Sequence, residues 1–142
     1  SKNILEVGTA IGYSGILMAR VCEKYGGKLT TIEIDETRYN EALENFKKAG
    51  LNNVRAILGD AEEEIKKLNE EFDFVFIDAS KGHYKQFFED SYKLLKKDGI
   101  IFIDNISSIF TCFNNFPIVF IIISHITIRK CYCFLSIVCF YN

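Results

Sequence analysis

Asn3-Ile4-Leu5-Glu6-Val7-Gly8-Thr9-Ala10-Ile11-Gly12-Tyr13-Ser14 is the stretch that decides the fold. A short, mostly apolar run stops at Gly8, and Gly8, Gly12 and Gly15 then punctuate a turn leading into a helix-like segment. The run reads as a buried strand and the turn as the entry to a helix. Ile16, Leu17 and Val21 are expected on the helix's inner face, and Gly26–Gly27 end it. A second strand follows at Lys28–Ile34. Asp35 is placed to cap the next helix, whose apolar positions Tyr39, Ala42, Leu43, Phe46 and Ala49 recur at helical spacing before Gly50.

The alternation continues outward. Val54–Leu58 reads as a third strand, followed by a Gly59–Asp60 turn into a short helix with Ile65 and Leu68 inward. Phe72–Ile77 is the most strand-like run, and Tyr84, Phe87, Phe88 and Leu95 mark the inner side of a fourth helix. Lys97-Asp98-Gly99 reads as a turn before a fifth strand at Ile100–Ile103. Nearly all-apolar strands separated by helices predict an α/β fold, a parallel sheet covered on both faces. Ligands of such sheets bind outside the carboxyl ends of the strands.

Composition sets the outer limits. The chain has 142 residues, 17 basic and 19 acidic, for a formal charge of −2, with 49% apolar residues. That suits one globular domain and excludes a disordered chain or a strongly basic nucleic-acid arm. The average hides a seam. All the acids lie before Ile106, and the last 37 residues carry only Arg129 and Lys130 as formal charges, together with Cys112, Cys131, Cys133, Cys139 and the single proline, Pro117. The cysteines have neither disulfide nor zinc spacing and suit a reducing cytosol. No signal peptide is visible in the sequence, and the chain is read as starting inside a larger gene product in the cytoplasm.

The polar residues gather where ligands are expected. Glu6 lies near the end of the first strand, Glu33 near the end of the second, and Asp60, Asp78 and Asp104–Asn105 follow the third, fourth and fifth. An acid about 20 residues beyond a glycine turn can accept both hydroxyls of a ribose, which points to an adenosine-containing cofactor. Ala10 stands where a dinucleotide fingerprint would place its second glycine. The turn is therefore more open, with Glu6 beneath it, and suits a cofactor without a pyrophosphate. Taken alone, Gly8 and Gly12 would also serve as plain turn residues. Asp78, Asp104 and Asn105 offer hard oxygen ligands from neighbouring strand ends, a set that suits Mg²⁺ rather than zinc. Singly, Asp78 would equally cap a helix and Asp104–Asn105 form a turn.

Four segments, Leu5–Ser14, Thr31–Asp35, Phe76–Tyr84 and Ile103–Asn105, together resemble the cation-dependent, S-adenosylmethionine-using O-methyltransferases. This family includes catechol and caffeoyl-CoA enzymes and bacterial enzymes that methylate 5-hydroxyuridine in tRNA. The run Asp78-Ala79-Ser80-Lys81-Gly82-His83-Tyr84 looks closest to the bacterial branch. The resemblance implies a Rossmann-like class I methyltransferase sheet. It places Glu6, Gly8 and Ser14 at the methionine end of the cofactor, Glu33 at the ribose, and Asp60 with Ala61 at the adenine edge. Asp78 would border the cofactor and, with Asp104 and Asn105, bind Mg²⁺ or Mn²⁺. Lys81 would be the general base, while His83 and Tyr84 shape the pocket. The implied reaction methylates a catechol-like or tRNA hydroxyl. The partners are those substrates, with no stable membrane association and with room for a homodimer.

Residues 1–105 carry the resemblance and 106–142 depart from it. The tail is read as a frame-shifted or otherwise non-native segment, ahead of a divergent tail or a membrane-associating one. On that reading the sheet ends at its fifth strand with an unpaired edge, against which the Ile-, Val- and Phe-rich tail could lie without the alternation to fix one register. The chain then binds cofactor weakly or not at all and transfers no methyl group. A non-catalytic, cofactor-binding remnant is the alternative to an enzyme.

Overall fold

A computed structural model of the chain describes residues 2–78 and 83–104, and the backbone of 120–125 and 134–138. The elements run β1 (Asn3–Val7), α1 (Tyr13–Glu23), β2 (Lys28–Glu33), α2 (Glu36–Lys48), β3 (Val54–Leu58) and α3 (Ala61–Glu64), which continues as a 3-10 turn over Ile65–Lys67. Then come β4 (Phe72–Ile77), α4 (Tyr84–Tyr92), β5 (Leu95–Asp104), β6 (Phe120–His125) and β7 (Phe134–Val138). The strand order is β3-β2-β1-β4-β5-β6-β7. Strands β1 to β6 pair in parallel, and β7 closes the sheet antiparallel to β6.

The predicted five-strand parallel core is present. Its free edge is not, because Ile100–Asp104 of β5 pair with Phe120–Ser124. An Ile-rich, uncharged run has the β propensity to extend such a sheet. The expectation of an edge without a registered partner is therefore corrected.

Period-two alternation sends β1 residues to opposite faces. Leu5 and Val7 join Ile32, Val75, Ile77, Ile101 and Ile103 in a core capped by Ala61, Ile65 and Leu68 and by Phe87 and Phe88 of α4. Ile4 and Leu29 pack on the other face against Ala19 and Cys22 of α1. Helices cover both faces as expected. The inner side of α1 differs from the expectation: Gly15, Ala19 and Cys22 are buried, whereas Leu17 and Val21 are about half exposed. The small residues let α1 approach the sheet closely, and this rotates the larger ones outward. In α2 only Ala42 and Phe46 are buried, and Leu43 is exposed.

The caps agree with the sequence. Asp35 accepts the Arg38 N–H at 2.9 Å and Asp60 the Glu62 N–H at 2.9 Å, starting α2 and α3. The expected turn at Lys97–Gly99 is an irregularity inside β5. Pairing jumps from Phe72↔Leu95 to Phe74↔Ile100, so three extra β5 residues are accommodated before the ladder resumes. No helix among the described residues is long and apolar enough to cross a membrane.

Candidate functional site

Parallel register brings the carboxyl ends of β1, β2 and β4 together, and a cleft of about 280 Å³ opens there. Its lining includes Gly8, Glu33, Asp60, Ala61 and Asp78. The glycine turn forms one wall. Gly8 and Gly12 have φ of 97° and 85°, and Ala10 adopts φ 48°, a left-handed conformation that L residues rarely take. Ala10 is held there by its N–H, which donates to Glu33 Oε2 at 2.7 Å. Glu33 Oε1 accepts the Asp35 N–H at 3.0 Å. Each of these oxygens keeps a second lone pair for a ligand hydroxyl.

Glu6 and Ser14 lie one layer beneath and are not among the residues lining the cleft. Ser14 donates to Glu6 Oε1 at 2.5 Å and Thr31 to Oε2 at 2.7 Å. Glu6 is fully buried, and that burial pushes its carboxyl up to about 7. The two hydroxyl donors oppose the rise, while the negative charges of Asp78 and Glu33 add to it.

Asp78 and Asp104 stand side by side because Ile77 pairs with Ile103 in the β4–β5 register. Partial burial raises the Asp78 carboxyl above its usual range, and the charge of Asp104 raises it further. Two hard oxygen donors held close in a partly desolvated place fit a divalent cation, whose charge would reverse that repulsion. Among the described residues no group of three or more His, Cys, Asp or Glu side chains has metal-site geometry. Asn105 and Lys81 lie outside the described residues. The Tyr84 hydroxyl donates to the Asp104 carbonyl at 3.1 Å, which ties α4 to the end of β5.

Ile34, Arg38 and Glu62 line the cleft without a functional signal in the sequence, whereas His83 lines it as the family resemblance implies. His83 Nδ1 is hydrogen-bonded to Glu62 Oε1, joining the start of α4 to the first turn of α3. Phe87 of α4 also lines the cleft. The bond between His83 and Glu62 becomes visible only once α3 and α4 are brought together. The Thr9–Thr31 contact at 2.5 Å, from two strand ends 22 residues apart, was equally hidden.

The family model described as O-methyltransferase matches residues 1–110. The chain is 39% identical over 110 residues to tapetum-specific methyltransferase 1 of Arabidopsis thaliana, covering 74% of this chain and 47% of that protein. It is 40% identical over 111 residues to catechol O-methyltransferase of Niastella koreensis, covering 75% and 50%. Among solved structures, the SAH-bound methyltransferase of Podospora anserina aligns with a TM-score of 0.68 and 34% identity, over 70% of this chain and 44% of that one. The O-methyltransferase of Bacillus cereus in complex with SAH aligns with a TM-score of 0.66 and 32% identity, over 87% and 49%. The chain thus spans about half the length of the curated relatives it matches. With a class I methyltransferase fold and a family match over most of its length, the chain belongs to the O-methyltransferase family.

Proposed function

We propose that the cleft binds S-adenosylmethionine and that the protein methylates a hydroxyl of a catechol-like small molecule in a divalent-metal-dependent reaction. The observation that carries this reading is Glu33: a nearly buried acid at the end of β2, gripping the glycine turn, on the same cleft as Asp60, Ala61 and Asp78. The SAH complexes of the Podospora and Bacillus proteins support the cofactor, and the Niastella catechol enzyme supports the acceptor class. In this reading Glu33 receives the ribose hydroxyls through its spare lone pairs. Asp60 and Ala61 border the adenine. Gly8 leaves room for the methionine end, with the negative Glu6 and its partner Ser14 beneath it.

The cofactor supplies a sulfonium methyl group, open to attack by an oxygen nucleophile. Asp78, Asp104 and Asn105 would hold a divalent cation, which would supply Lewis acidity toward the acceptor hydroxyl. Lys81 takes the proton, and the residues around the cleft hold the reacting groups in line. Residues 1–105 form the cofactor-binding core, with 106–142 as a frame-shifted or otherwise non-native apolar tail whose strands β6 and β7 extend the sheet.

The test is methyl transfer from S-adenosylmethionine to a catechol and to hydroxyuridine-containing tRNA, with Mg²⁺ and with EDTA. Metal-dependent transfer to the catechol is expected. Transfer to tRNA alone would move the protein to the bacterial branch. Cofactor binding without any transfer would leave the non-catalytic remnant.

A further inference from the structure

Beneath the cleft runs a hydrogen-bonded chain of side chains whose direction is fixed. Glu6, Thr9 and Thr31 are each at most 1% exposed. The single proton of the Thr31 hydroxyl goes to Glu6 Oε2, so the Thr9–Thr31 bond must run from Thr9 to Thr31. Reversing this arm would leave the Thr9 proton with no other acceptor among the described residues, at a buried site where an unmade bond is costly. Ser14, which is only partly buried, reaches the other carboxylate oxygen. One carboxylate therefore holds both ends of the glycine turn, Thr9 at its start and Ser14 in the first turn of α1.

We propose that Thr31 is a positioning residue for the cofactor cleft: locked by Thr9 into donating, it favours the ionised form of the buried Glu6 carboxylate beneath the turn, the form that the ammonium group of a bound ligand selects. This rests on the cofactor reading above. Ser14 from α1 and Thr31 from β2 donate to Glu6, and the space beside Gly15 is bordered by both Glu6 Oε2 and the Phe46 ring of α2. The charges of Glu33 at the end of β2 and Asp78 beyond β4 also act on it. Both charges are negative and oppose ionisation, so the hydroxyl donors are what favour it. A ligand that presents an ammonium group above Glu6 favours its ionised form, and by linkage ionised Glu6 favours the ligand.

The experiment is calorimetric titration of the full chain with S-adenosylhomocysteine, whose ammonium group carries the charge, from pH 6 to pH 8.5. EDTA is present throughout so that no cation acts at Asp78. Wild type is expected to bind about tenfold more tightly at the top of the range than at the bottom, with proton release seen in buffers of different ionisation enthalpy. Thr31→Val should bind about tenfold more weakly near neutral pH, with the gap closing at high pH, and Thr31→Ser should restore the wild-type profile. An equal loss for Thr31→Val at every pH, or no rescue by Thr31→Ser, overturns the coupling and leaves the cofactor reading standing. Absence of wild-type binding at any pH overturns the cofactor reading and the coupling with it.

Discussion

The N–H of Ala10 donates to Glu33 Oε2 at 2.7 Å, and this bond holds the centre of the glycine turn at a φ of 48°. The same carboxylate is the group placed to receive ribose hydroxyls. Turn geometry and ligand recognition are thus tied to one side chain.

Replacing that side chain should damage both. Glu33→Ala removes the acceptor of the Ala10 and Asp35 N–H groups and the proposed ribose contacts. Charge-assisted bonds of this kind contribute about 1.5–3 kcal/mol each. S-adenosylmethionine affinity is expected to fall by at least about tenfold, measured by calorimetry. Unchanged affinity in a folded variant would remove Glu33 from the ribose role.

Gly15 is a second point of close approach. A Cβ there would lie 3.0 Å from Glu6 Oε2 and 3.0 Å from the Phe46 ring. Gly15→Ala should destabilise the chain by about 1–3 kcal/mol through overpacking, read by urea unfolding. No loss would mean that Phe46 moves aside freely.

Much of this was legible before the fold was known. The glycine turn, the acids at the strand ends and the caps Asp35 and Asp60 are local signals, and the structure places each where the pattern indicated. What failed depended on packing. Leu17 and Val21 have the helical spacing of a core face, yet the distance of α1 from the sheet is set by Gly15, Ala19 and Cys22. Partners for β5 lay in a tail with no charge pattern to give the register. The Glu62–His83 and Thr9–Thr31 contacts join separate elements, and no single-chain period reports such pairs.

The raised Glu6 carboxyl predicts a pH dependence of stability. Its folded value, about 7, lies above the ordinary carboxyl value of 4.5 that an unfolded chain would show. The folded state therefore binds this proton more tightly, and the associated stability is full below pH 4.5 and lost as pH rises through 7. The loss is on the order of 3 kcal/mol. Glu6→Gln should remove this slope when unfolding is followed from pH 4.5 to pH 8. A slope identical in the variant would assign it to another group.

Asp73 should act in the opposite sense at acid pH. Partial burial raises its carboxyl, but the N–H groups of Asn3 and Lys2 and the Lys96 ammonium together hold it below its usual value. Its stabilising contribution is present above the ordinary Asp range and lost as pH falls through the lowered value. Asp73→Asn should flatten the acid limb of the unfolding profile, and an unaltered limb would discount this clamp on β1.

Neutralising one member of the strand-end pair separates repulsion from metal binding. Without metal, Asp78→Asn should be at least as stable as wild type near neutral pH, because Asp104 no longer faces a like charge. With Mn²⁺ added, wild type should gain thermal stability and the variant should not. Equal gains in both would place the metal elsewhere.

The central claim, that the strand-end cleft is an S-adenosylmethionine site read by Glu33, is tested most directly by equilibrium binding of radiolabelled S-adenosylmethionine to the chain and to Glu33→Ala, with NAD as competitor. Saturable binding to wild type that NAD does not displace, and that Glu33→Ala weakens by about tenfold or more, is the expected result. Binding that NAD displaces, or that survives intact in Glu33→Ala, would contradict it.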